Sequence, residues 1–187
     1  FFRIPNFGQE VAIRPYKTSQ NMKKHLLIIA AIALPVLLLS SCKKDEEEEK
    51  QDNKDLYCEI SKSGYTYYTG TQVITEGLGG AHGFIKVRFN TTAASVLDST
   101  GKLPVGASFP NGSVIVKEIY GSASGGLNLY AVMKKSSGDK NAGSGWLWGE
   151  YKPGGDVAFS VAKQGNGCIS CHSSGDHRDL TKVFDLH

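Results

Sequence analysis

Three residues near the carboxyl end have the types and spacing for a defined chemistry: Cys168, Cys171 and His172, in Gly167-Cys168-Ile169-Ser170-Cys171-His172. C-x-x-C-H is the attachment spacing of c-type haem. Two thiols three positions apart can each add to one porphyrin vinyl group. The adjacent imidazole then reaches the iron from the same side. One covalently attached haem c is therefore the expected cofactor, with His172 as the metal ligand. Three alternatives stay open on the residues alone. The pair could be half of a structural zinc site completed from Cys58, His82, His172, His177 or His187, although no second C-x-x-C or H-x-x-x-H exists. It could be a redox dithiol, although no βαβ pattern surrounds it. Without haem, a disulfide with Cys58 is a third arrangement.

Electron-transfer cytochromes usually give iron a second strong ligand, Met or His. Candidates here are few: Met133, His82, His177 and His187. An iron left open on that side would take small molecules. A second anomaly is Lys117. In Ser113-Val114-Ile115-Val116-Lys117-Glu118-Ile119-Tyr120, period-two alternation puts Lys117 on one face with Ile115 and Ile119. Both faces are largely apolar, so the strand is expected to be central. A lysine held there becomes a more available nucleophile as desolvation disfavours its charge. The plainer reading is an ammonium that snorkels to a sheet edge or pairs with an acid.

The elements that must position these residues are short apolar segments separated by Gly, Asn, Ser and Asp clusters, the pattern of strands and turns. Strands are predicted over 65–74, 84–89, 113–120, 127–134, 146–151 and 157–161. Pro110-Asn111-Gly112, Gly125-Gly126 and Pro153-Gly154-Gly155-Asp156 are the expected turns. A short helix is expected after Asn90, with Ala93, Val96 and Leu97 on one face and Gly101 closing it. A further helix near 54–62 is a weaker expectation. The fold class is α+β: a mainly antiparallel sheet of about five strands, one or two helices, and a C-terminal haem-attachment loop.

The amino-terminal part sets the compartment. Met22-Lys23-Lys24-His25 precedes an unbroken apolar run of 14 residues, Leu26 to Leu39, and then Leu39-Ser40-Ser41-Cys42. A cationic start, a short apolar run and small residues before a cut site read as a secretory signal, 22–41. Leu-Ser-Ser-Cys resembles a bacterial lipobox, which implies lipidation of Cys42. The alternative, a plain membrane anchor with an incidental cysteine, needs a longer run. Residues 1–21 read as an over-extended start. The charged run 42–56 reads as a solvated tether, or as a surface-sorting mark. The haem domain is expected over 57–187. The expected location is the outer membrane, anchored by lipid, on its periplasmic side or at the cell surface. The chain has 21 basic and 18 acidic residues. Beyond residue 41 the count is 16 basic to 17 acidic, so no basic excess argues for nucleic acid. Cys58 is left over, and is expected either to be buried or to bridge two copies.

Taken together, these residues resemble the cytochrome P-460 family, which includes the cytochrome c′-beta group. The likeness runs from Ala81-His82-Gly83 and Lys86-Val87-Arg88-Phe89-Asn90 through Phe109-Pro110-Asn111-Gly112 and Val116-Lys117-Glu118. It continues through Tyr130-Ala131-Val132-Met133-Lys134 and Gly145-Trp146-Leu147-Trp148 to the haem motif and Lys182-Val183-Phe184. The resemblance implies an antiparallel β fold, often a homodimer, around a five-coordinate haem that oxidises hydroxylamine or binds nitric oxide. An electron-transfer partner would be needed for the oxidation. In the P-460 type, the lysine at the position of Lys117 is bonded to the haem edge. An acid near the open iron face moves protons, and Glu150 is the candidate, because Glu118 points away from the Lys117 face. The c′-beta type instead crowds that face with apolar rings, for which Phe84, Phe89 and Phe109 are candidates.

Overall fold

The computed structural model describes residues 44–75 and 82–186. The signal sequence, Cys42, the start at 1–21, Ala81 and His187 lie outside the described residues. A helix over 44–58 (α1) runs into a single 3-10 turn, Glu59–Ser61. Seven strands follow: β1 Thr66–Thr71, β2 Ile74–Thr75, β3 Phe84–Phe89, β4 Val114–Tyr120, β5 Leu127–Lys135, β6 Trp146–Tyr151 and β7 Val157–Phe159. They form one antiparallel sheet in the order β1-β3-β4-β5-β6-β7, with β2 also paired to β3. The α+β class holds, with seven strands rather than five. Part of the difference is the break at Gln72-Val73, which divides one predicted strand into β1 and β2.

The turns form where the residue types require them. Gly112 has φ +87°, and Ser113 N–H donates to the Pro110 carbonyl at 3.1 Å. That left-handed third position is one a side-chain-bearing residue adopts at a cost. The predicted helix after Asn90 is present as α2, Thr91–Ala94, and Asn90 Oδ1 caps it by accepting from Ala93 N–H at 2.9 Å. It stops well before Gly101, which instead closes a separate turn onto the Asp98 carbonyl.

Strand alternation gives the sheet two apolar faces. Ile85, Val87, Phe89, Ile115, Met133, Trp146 and Trp148 share one core with Leu103, Phe109, Val183 and Phe184. Val114, Val116, Val132, Tyr151 and Val161 share the other with Leu56 and Ile60. Leu56 and Ile60 come from α1 and its 3-10 turn. Within the run 42–56, expected to be a solvated tether, residues 44–56 are helical; 44–51 are exposed and two later residues are buried. The helix keeps its charges outward and turns Asn53 and Leu56 inward, at 4% and 2% exposure. Asn53 Oδ1 accepts from Val161 N–H at 3.0 Å, and Asn53 Nδ2 donates to Ser160 Oγ at 3.0 Å. Pairs such as Lys50–Glu47 at 2.8 Å stabilise the exposed side of the helix. Among the described residues no helix is long and apolar enough to cross a membrane.

Candidate functional site

Register across five strands lines up Val87, Lys117, Ala131, Glu150 and Phe159 as one row of directly paired residues. The row lies on the face of the first core. Val87 belongs to that core, Lys117, Ala131 and Glu150 each stand two positions from one of its members, and Phe159 packs against it. Ala131 stands between the two charged residues. Its single methyl leaves space above the sheet between Lys117 and Glu150, whose backbones are roughly 10 Å apart across two strand spacings.

That row is the floor of a cavity of about 330 Å³, at the lower end of the roughly 300–1,000 Å³ of ligand sites. Ile115, Met133 and Trp148 extend the floor, and the carboxyl-terminal segment supplies the facing wall: Asn166 to Cys168, Cys171, His172 and Thr181 to Val183. His82 lines it as well.

The haem motif is not a loop. Cys168 and Ile169 N–H both donate to the Gly165 carbonyl, and α3 follows at Ile169–His172. Cys168, Cys171 and His172 stand at i, i+3 and i+4 of this helical turn, the positions that share a face. Neither cysteine is in a disulfide with Cys58, which is exposed rather than buried. Among the described residues, which do not include His187, no group of three or more His, Cys, Asp or Glu converges on a metal-sized point.

His172 is fixed by two contacts. Its Nδ1 lies 2.7 Å from the Leu180 carbonyl oxygen. A carbonyl only accepts, so Nδ1 carries the proton and Nε2 is the ring atom that can coordinate a metal. The ring also stands edge-on to Trp148, centroids 5.0 Å apart. Trp148 is itself held by donating Nε1–H to the Gly143 carbonyl at 3.0 Å.

Burial pushes the Glu150 carboxyl above its ordinary range, while Lys117 and Lys163 pull it partly back. Burial also raises the Cys168 thiol, helped by the Glu150 charge and opposed by Lys163. A half-buried acid beside a half-buried lysine over an apolar floor is an arrangement for holding and moving protons.

A family model described as Cytochrome P460 matches residues 63–184. The chain belongs to the Cytochrome P460 family. It is thus a c-type haem protein. No individual curated protein is similar enough to match it. The residues present fit a haem c: two thiols and an imidazole share one helical face, the imidazole tautomer suits an iron ligand, and the cavity walls are largely apolar.

In this cytochrome P460 chain the predicted residues Cys168, Cys171, His172, Lys117 and Glu150 all line one cavity. The three predicted rings do not. Phe84 faces the opposite side of the sheet, paired with Tyr120. Phe89 and Phe109 fill the first core, where Phe89 stacks on Phe184 at 5.6 Å and on Phe109 at 6.3 Å. Phe159 is the aromatic residue of the floor row and was missed. Its signal was the pairing of β6 with β7, which a hairpin at 152–156 alone does not register. His177 does not line the cavity, whereas His82 and Met133 do. Glu118 points away as expected, ion-paired to Arg88 at 3.0 Å on the other face.

Proposed function

We propose that this cytochrome P460 is an oxidoreductase that acts on hydroxylamine or nitric oxide at the open side of one covalently held haem c. The observation that carries the reading is the single row that sets Lys117 and Glu150 on the cavity floor facing Cys168, Cys171 and His172. The haem, when bound, supplies an iron that takes a small nitrogen compound and passes electrons onward. Cys168 and Cys171 would hold it by thioether bonds, and His172 Nε2 would hold the iron. Lys117 lies where the family resemblance puts a lysine bonded to the haem edge.

Oxidation of hydroxylamine to nitric oxide releases three protons and three electrons. The electrons need an external one-electron acceptor, a redox partner protein. The protons need a base close to the nitrogen, and Glu150 is the carboxylate on the cavity floor. Its raised pKa brings it nearer to the operating pH, where a general base is most effective. Ala131 keeps the space between acid and lysine clear, and Phe159 and Val87 close the row with apolar surface that limits water.

The test is steady oxidation of hydroxylamine with an artificial one-electron acceptor, alongside mass spectrometry of the haem peptide. Turnover, and a haem joined to the 114–120 peptide as well as to 168–171, supports the reading. Tight nitric oxide binding without turnover replaces it with a binding or electron-transfer protein of the c′-beta kind.

The setting belongs to the same proposal. Cys42 would carry lipid on the outer membrane, on the periplasmic side or at the cell surface, and the domain would work as a homodimer. Incorporation of labelled fatty acid, lost in Cys42→Ala, tests the anchor.

A further inference from the structure

We propose that Asp179 is a positioning residue for His172, acting through the carbonyl of Leu180. The proposal rests on the reading of His172 as the iron ligand. His177, Asp179 and Leu180 have φ of 55°, 48° and 65°, three of the five positive-φ residues other than glycine among those described. A leucine has no polar group to offset the cost of a left-handed backbone. Such strain persists where the surroundings over-determine it, and it gathers at functional positions.

Here the Asp179 carboxylate over-determines it. It accepts from Lys135 Nζ at 2.8 and 2.9 Å, from Phe109 N–H at 2.8 Å and from Trp146 Nε1–H at 3.2 Å. The Lys135 and Asp179 side chains are 13% and 9% exposed, so water screens the pair little. The donors come from the end of β5, the start of β6 and the loop before β4. The carboxylate is therefore fixed to the rigid sheet, and the backbone at 179–180 is fixed to the carboxylate. Just before it, Gly106 N–H donates to the His177 carbonyl and the Arg178 guanidinium to the Leu103 carbonyl.

The consequence is the direction of one oxygen. With Leu180 left-handed, its carbonyl meets His172 Nδ1 at 2.7 Å. That bond sets the tautomer and the ring plane, and it makes the imidazole a stronger donor to a metal. A chain without the Asp179 anchor would let 179–180 relax and weaken the bond.

The test uses the haem-loaded protein, potentiometric titration and the iron–histidine stretching band of the reduced form. In Asp179→Ala the midpoint potential is expected to rise and the band to fall in frequency. Asp179→Asn keeps a residue that tolerates the left-handed backbone and an oxygen for Phe109 N–H, but loses the ion pair. It is expected to give a smaller shift in the same direction. If Asp179→Ala does not fold, Asp179→Asn decides alone. Parental potential and band in the folded variants overturn the proposal, even if both have lost stability, because a purely structural aspartate would do only that. A His172→Ala variant that keeps the parental band and potential overturns the ligand reading itself, and this proposal with it.

Discussion

Glu150 combines a charge that burial disfavours with a place beside Lys117, and both effects can be measured. Its folded pKa lies above its unfolded one, burial being the larger cause and the lysines opposing it. Between those two values the folded chain binds more protons than the unfolded chain. Stability therefore falls as pH rises through that window, beginning at the ordinary glutamate value. Denaturant titrations across pH are expected to show this slope in the parent and its loss in Glu150→Gln; equal slopes would count against it. The rate runs the other way, since only the ionised carboxylate accepts a proton. Hydroxylamine oxidation is expected to rise with pH through the same window, and Glu150→Gln to lower kcat by about a hundredfold, the lower end of general-base effects. Lys117 carries a separate expectation. Lys117→Ala keeps its haem, which Cys168, Cys171 and His172 would still hold, but its absorption spectrum shifts strongly from the parent's. Identical spectra would remove the lysine bond to haem. The face of Lys117 was legible in the sequence because period-two alternation needs only one strand. Glu150 was legible only through the family resemblance, since its place beside Lys117 depends on the register of β4, β5 and β6 together.

At the scale of elements, the haem motif depends on how closely its turn approaches the sheet. Gly165 has φ +70°, and a Cβ there would stand 2.6 Å from the Trp148 indole, itself 3% exposed. Gly165 also accepts the two N–H groups that start the turn into α3. Gly165→Ala is expected to cost about 2–5 kcal/mol, from a left-handed alanine and a forced shift of the indole. Gly167→Ala is the control. It shares the unfavourable φ, +92°, but its Cβ would meet nothing within 4 Å, so only the backbone cost of roughly 1–2 kcal/mol remains. Denaturant midpoints of the two variants separate clash from strain, and equal losses would show that Trp148 moves aside freely. The strands were readable because turn residues bracket each one. The form of the motif was not. A C-x-x-C-H run has no amphipathic period long enough to announce a helix, and its helical turn is set by Gly165 packing on Trp148, a contact 17 residues distant in sequence. The rings were misplaced for a related reason: Phe89 and Phe109 pack against Phe184 and Trp146, partners that only the folded chain brings to them.

The described residues form a sheet with the candidate site on one face and a second core on the other, and α1 belongs to the second. A run of Asp, Glu and Lys reads as solvated because most of it is. The inward stripe is carried by Asn53, Leu56 and, one turn on, Ile60, too sparse for a periodic signal. Leu56 is 2% exposed and packs with Val114, Val116, Val132, Tyr151 and Val161. Val114 and Val116 alternate along β4 with Ile115 and Lys117, so the strand that carries the lysine is sealed from behind by this helix. Leu56→Ala removes three heavy atoms from a rigid environment and is expected to cost about 2–5 kcal/mol. The haem spectrum and the midpoint potential should stay at parental values, because Leu56 does not line the cavity. A loss of stability with an unchanged spectrum places α1 in the folded unit. A loss near zero would mean that the helix detaches readily in solution, and that residues 44–58 act as the solvated tether after all. An altered spectrum would mean that the two faces are coupled through β4, so that the helix behind the sheet also governs the lysine at the cavity floor.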